Sequence, residues 1–115
     1  MHISRQQATS CPCRYIKQGV KTVEGRLNSG LMRQIGQHDT IDFYGGRGAR
    51  EEVRVQVMKV VPYSSFHDML TAVGVEAVLP EYRDVGSAVK LFQSFPGYYH
   101  KEQMHGVLAI HIMQV

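Results

Sequence analysis

The sequence predicts an α+β fold, a small β-barrel with short helices packed around it. Several short runs alternate apolar and polar residues at strand period, runs of helical period fall between them, and long helices do not alternate regularly with strands. Some four to six strands are expected. With 115 residues, 43% of them hydrophobic, the chain fills one core. Residues 1–115 therefore read as one domain.

The elements follow in chain order. Ser10-Cys11-Pro12-Cys13 reads as a helix start, with Ser10 able to cap free backbone N–H groups and Pro12 in the first turn. Gly19, just past the last helical residue, suits the left-handed conformation that lets a chain turn out of a helix. Lys21 to Leu27 then reads as a strand. Asn28-Ser29-Gly30 breaks the pattern, and Leu31 to Ile35 forms one helical turn before Gly36. Thr40-Ile41-Asp42-Phe43-Tyr44 alternates as a half-buried strand does, and Gly45-Gly46-Arg47-Gly48 supplies the turn of a hairpin.

The strongest strand is Val53-Arg54-Val55-Gln56-Val57, whose alternation loosens over Met58 to Val61 as both faces become apolar. After Pro62 the period changes. Phe66, Met69, Leu70 and Val73 mark an amphipathic helix that begins near Ser64-Ser65 and ends before Gly74. Val85, Ala88, Val89 and Phe92 share a side of a second helix, followed by Pro96-Gly97, and a third short helix spans Tyr98 to Met104. Val107 to Met113 closes the chain as an interior strand.

Composition narrows the function. No run approaches the roughly 20 apolar residues of a membrane span, and Met1 to Gln7 lacks the apolar run of a signal peptide, so cytosol or nucleus is the expected compartment. Cys11 and Cys13 are too close in sequence for an unstrained bridge, and no disulfide framework is expected. The six His show no metal-ligand pairing; no metal or cofactor is expected. Residues 1–60 carry ten Lys and Arg against five acids, a net of +5, and residues 61–115 carry three against five, a net of −2. Such asymmetry suits a polyanionic partner as well as a merely solvated basic face.

One segment concentrates charge: Gly19-Val20-Lys21-Thr22-Val23-Glu24-Gly25-Arg26. A regular strand puts Lys21 on one face and Glu24 with Arg26 on the other. A bulge or close backbone approach at Gly25 would let the three converge on one cleft. Glu24 between two cations stays ionised, Arg26 offers a planar fork for phosphate or a base, and Lys21 offers a compact charge whose pKa falls on desolvation. The charges alone equally describe a surface ion-pair cluster.

Those eight residues match the pattern Gly-x-Lys-x-x-Glu-x-Arg at all four specified positions, and the chain resembles the ASCH domain family. Ile35 to Phe43 resembles the family's Gly-Asp-x-Ile-x-Phe stretch, lengthened by Gln37-His38, and the Ser64-Ser65-Phe66 helix, Leu79-Pro80, Tyr98-Tyr99 and Gly106 to Ile110 follow in the familiar order. The resemblance implies a PUA-like β-barrel whose cleft, lined by Lys21, Glu24 and Arg26, binds RNA or a modified nucleoside. Arg14, Ser65 and Tyr99 complete the expected ligand contacts. One branch of the family hydrolyses acetylated cytidine and carries Thr where this chain has Glu24, so the matching nucleophile is lacking.

Other residues admit plainer readings. Ser64, Ser65 and His67 resemble a nucleophile and base, but their place at a helix start makes them caps first. Tyr98 and Tyr99 serve base stacking or barrel closure. His111 reads as a packed or half-exposed side chain. Cys13 is a reactive thiol or, more simply, a buried one. Two functions remain: a module binding RNA or a modified nucleotide, and a hydrolase using Lys21 and Glu24 on RNA or an acylated nucleoside.

Overall fold

A computed structural model describes residues 1–6, 12–45 and 51–115, with backbone alone for 4–6. Strand β1 (His2–Gln6) is followed by α1 (Cys13–Lys17), β2 (Val23–Leu27), a 3-10 turn (Gly30–Gln34), β3 (Thr40–Gly45) and β4 (Glu51–Tyr63). Helices α2 (Phe66–Val73), α3 (Val75–Val78), α4 (Val85–Ser94) and α5 (Tyr98–His105) precede the last strand, β5 (Val107–Gln114). Strand β1 and helix α3 escaped the sequence patterns. The other elements stand where periodicity placed them, within a few residues at their ends. The Ser10 cap and most of the Gly45–Gly48 turn lie outside the described residues.

The five strands form one mixed sheet in the order β1-β3-β4-β5-β2, parallel between β1 and β3 and antiparallel elsewhere. Among the described residues no pairing joins β1 to β2, so the hydrogen-bonded order is open. The observed class is α+β with a five-stranded sheet, and the closed barrel expected from sequence goes beyond it.

Two apolar clusters lie on the two faces of this sheet. One gathers Ile3, Ile16, Met32, Ile41, Phe43 and Val55 with Leu108, Ile110 and Ile112; the other gathers Val23, Leu27, Phe66, Met69, Leu70 and Phe92 with Val107 and Ala109. Alternation along β5 therefore feeds both clusters, which is why that strand is apolar on successive positions. In β4 the alternation loosens at Met58 because the register slips between Val57 and Lys59. One residue there has no partner opposite, and such a bulge bends the strand and raises its twist.

Ser65 caps α2 by accepting the Asp68 N–H at 3.0 Å, and Asp84 caps α4 by accepting the Ser87 N–H at 2.8 Å. The Glu102 carboxylate, buried on α5, adds a second acceptor for α2: the Phe66 N–H donates to it at 2.7 Å and the Gln93 amide at 2.9 Å. Cys13 is buried in the first cluster and is disulfide-bonded. The bridge corrects the expectation that none would form, and the burial of Cys13 agrees with the plainer of its two sequence readings.

Candidate functional site

The charged motif begins where α1 ends. Gln18 closes the helix and Gly19 follows at φ +76°, a left-handed conformation that glycine adopts without the Cβ penalty. The turn is fixed by two donors on one acceptor: the N–H groups of Val20 and Lys21 donate to the Tyr15 carbonyl at 2.9 and 3.1 Å. Thr22 then bridges two elements, its N–H donating to Ala77 on α3 and its carbonyl accepting from Ile112 on β5, both at 3.0 Å.

Lys21 lies in this connection, before β2 begins. Its ammonium donates to the Val23 carbonyl at 2.8 Å and the Val78 carbonyl at 2.6 Å, and meets Glu24 Oε1 at 3.2 Å. An ammonium has three N–H donors, and three acceptors surround this one. Glu24 and Arg26 sit opposite Ile110 and Leu108 and so share a face of β2. Glu24 Oε2 accepts from Arg26 Nε at 2.9 Å and from Nη2 at 2.7 Å.

The convergence expected from sequence thus exists, by a different route. The β2–β5 register runs without interruption from Val23 to Leu27, so Gly25 is no bulge. Lys21 reaches Glu24 because it precedes the strand and folds back along it. Gly25 instead allows a close approach: a Cβ there would lie 3.0 Å from Met69 Cε and 3.1 Å from Phe92 Cζ. The surface ion-pair reading is also corrected, since Lys21 and Glu24 are buried.

Burial sets the electrostatics. Desolvation pushes the Lys21 pKa below its ordinary value, although Glu24 opposes the shift. Desolvation acts in the opposite sense on Glu24, but Arg26 and then Lys21 outweigh it and hold the carboxyl below its usual range. Glu24 in turn raises Arg26, aided by Tyr98 on α5. The trio carries a net charge of about +1, and exposure differs among its members: the side chains of Lys21 and Glu24 are 5% and 10% exposed, that of Arg26 is 21%. Arg26 is the member that meets solvent. Glu24 accepts from Arg26 Nε–H and one Nη2–H, which leaves further guanidinium donors for Tyr98 and for a ligand.

The remaining expected contacts lie apart from this trio. Arg14 is exposed, its guanidinium 5.0 Å from the Tyr15 ring centre, and Tyr15 donates to Glu81. Ser65 is engaged as the α2 cap, with Ser64 donating to Asp68 beside it. Tyr99 is exposed, its ring edge-on to His100. Among the described residues no hydrogen bond or ion pair joins Arg14, Ser65 or Tyr99 to Lys21, Glu24 or Arg26. His111 is half-buried, its pKa lowered by burial and by Lys59.

Sequence reasoning left out Val78, whose carbonyl anchors Lys21, and did not connect Tyr98 to Arg26. Neither partnership has a sequence signal, because the partners are brought together only by packing of α3 and α5 on β2. A cavity of about 280 Å³ flanks the start of the motif, between Ile16, Lys17 and Gly19 on one side and Ile112 and Met113 on the other. Glu24 and Arg26 do not line it. No three His, Cys, Asp or Glu residues cluster as a metal site among the described residues.

The ASCH domain profile matches residues 12–115, which includes every residue of this motif. The chain belongs to the ASCH domain family. Its members are generally linked to RNA binding. The fold of this ASCH chain is similar to the crystal structure of hypothetical protein PH0355, with 33% identity, all of both chains covered and a TM-score of 0.85. It is also similar to the solution NMR structure of protein PF0455 from Pyrococcus furiosus, with 31% identity over 99% of this chain and 96% of that one, at a TM-score of 0.75. No curated protein matches the chain. No described helix is long and apolar enough to cross a membrane.

Proposed function

We propose that this ASCH chain is a binding module for RNA or a modified nucleotide, with Arg26 as its principal ligand-contacting group and Lys21 and Glu24 as the frame that aims it. The observation that carries this reading is the unequal exposure and donor use within the trio. Lys21 has all three donors engaged, Glu24 has both oxygens engaged, and Arg26, the most exposed of the three, has guanidinium donors beyond those that Glu24 takes. A guanidinium held by a carboxylate keeps its orientation, so less freedom is lost when a phosphate or a base edge takes its free N–H groups.

The same reading takes residues 1–115 as one ASCH unit of PUA-like barrel form. Ile3 of β1 and Ile110 of β5, distant in the sheet order, share one apolar cluster, which supports a sheet curled about that cluster. Arg14 and Tyr99 are exposed and stand as outer contacts for a longer ligand. Cytosol or nucleus remains the proposed compartment.

A hydrolase reading draws on one observation, the Lys21 pKa lowered by burial, since a desolvated amine, though a weaker base, spends more of its time neutral and able to accept a proton. It requires Lys21 to leave its two carbonyl partners. Titration of the purified protein into labelled single-stranded RNA, across a range of salt, tests the module; incubation with an acetylated nucleoside tests the hydrolase. Wild-type binding that is lost in Arg26→Ala, with no turnover, is the expected result. Turnover abolished by Lys21→Met, or absence of binding to RNA and nucleosides at low salt, would overturn the module.

A further inference from the structure

Beside Arg26 lies an aromatic cluster that neither the motif nor the fold explains in full. Phe66 and Phe92 stack with ring centres 4.2 Å apart, and Tyr98 lies parallel to Phe66 at 6.1 Å. These three form part of the second apolar cluster and its margin. Phe95 is different. It caps the end of α4, meets the Tyr98 ring edge-on at 5.3 Å and the Phe92 ring edge-on at 6.4 Å, and is 41% exposed.

An exposed Phe in water is disfavoured, and two edge-on neighbours hold this ring in one orientation with surface left to solvent. Tyr98 is the link to the charged trio, because the side chain that fixes the Phe95 ring also interacts with Arg26. A second cation stands at the same corner: the Lys101 side chain folds back over Gly97, its Cε 3.7 Å from where a Cβ on that residue would sit. The nearest acid along α5, Glu102, is buried and bonded to Phe66 and Gln93. The corner therefore combines a rigid apolar ring face with two cationic side chains, Arg26 and Lys101, the pairing that an unstacked nucleotide requires.

We propose that Phe95 is a base-stacking platform of this site, receiving an unpaired nucleobase of single-stranded RNA whose backbone phosphate is held by Arg26 and Lys101. The inference rests on the RNA-binding reading and adds to it the class of ligand, a single strand with an accessible base, and the residue that distinguishes it from a duplex.

Because Phe95 is at the surface, Phe95→Ala should keep the fold, which its thermal unfolding checks. The probes are a short labelled oligouridylate and an abasic oligomer of equal length, which carries the same phosphates without bases. The wild type is expected to bind oligouridylate about tenfold or more tighter than the abasic strand, F95A to erase that difference, and Lys101→Ala to weaken both about equally with a shallower salt dependence. The chain contains no Trp. Phe95→Trp therefore supplies a single indole at the platform, whose emission should be quenched by oligouridylate and not by the abasic strand. Equal binding of both strands by the wild type, or F95A indistinguishable from it, would overturn the platform while leaving the RNA-binding reading in place. No binding of either strand at low salt would overturn the platform together with the single-stranded RNA form of the binding reading.

Discussion

The ammonium of Lys21 donates to the backbone carbonyl of Val78 at 2.6 Å, tying the charged motif to the C-terminal end of α3, 57 residues further along the chain. A lysine placed this way positions its neighbours. Its remaining donors go to Val23 and Glu24, so its loss would leave two carbonyls and half of a buried carboxylate without a partner.

Lys21→Met should therefore destabilise the protein by about 3–5 kcal/mol, the cost of breaking a buried ion pair from one side. Lys21→Arg should recover little of it, because a planar fork does not fit three acceptors arranged around a point charge. Urea unfolding followed by circular dichroism measures both.

Acid should unfold the protein partly through Glu24. Its folded-state pKa is held below the ordinary value of 4.5, so the unfolded chain takes up the proton first as the pH falls. The stabilisation is fully present above that ordinary value and is lost as the pH drops through the lower folded-state value. Glu24→Gln should be less stable at pH 7 and should lose less stability on acidification than the wild type. Urea midpoints at a series of pH values from neutral to strongly acid decide this; parallel pH profiles for the two proteins would refute it.

Two glycines should differ sharply on conversion to Ala. At Gly106 a Cβ would sit 2.7 Å from the Tyr63 carbonyl oxygen, and its φ of +72° with ψ of −166° is a backbone region that side chains hardly enter. At Gly25 the nearest atoms are side-chain ends, the flexible tip of Met69 at 3.0 Å and the Phe92 ring at 3.1 Å, and not backbone. Gly25→Ala should cost about 1–3 kcal/mol as an overpacking change, and Gly106→Ala more. Comparison of the two thermal midpoints is the measurement.

Glu102→Ala should destabilise by about 1–3 kcal/mol by leaving the Phe66 N–H unpaired in an apolar surround. Glu102→Gln keeps an acceptor for that N–H and should cost less. Amide exchange at Phe66 distinguishes this local cause from a general loosening, since its protection should fall furthest.

Arg26→Ala should weaken single-stranded RNA binding by about 1.5–3 kcal/mol, the range of a hydrogen bond to a charged group, and reduce the salt slope by about 0.7 for each phosphate released. Anisotropy titrations at several salt concentrations give both quantities.

Much of the fold was legible because periodicity reports local burial. Alternation in Thr40 to Tyr44 and Val53 to Val57 marked β3 and β4, and the spacing of Phe66, Met69, Leu70 and Val73 marked α2 with Ser65 as its cap. Strand β1 was missed because His2 to Gln6 offers a single strong apolar residue, Ile3, and is held by parallel pairing to β3, an interaction with no trace in its own composition. The interruption at Met58 was visible as a loosened pattern, but its meaning as a register slip depends on the partner strand.

The site divides in the same way. The sequence by itself placed Lys21, Glu24 and Arg26 within six residues of one another, in the segment from Gly19 to Arg26. Tertiary structure alone decided what each does. Burial under α3 and α5, the Val78 carbonyl and the Tyr98 side chain turn three nearby charges into an anchored ammonium, a doubly engaged carboxylate and a guanidinium that is the most exposed of the three. Desolvation and partner geometry depend on residues more than fifty positions away, and no spacing rule within eight residues contains them.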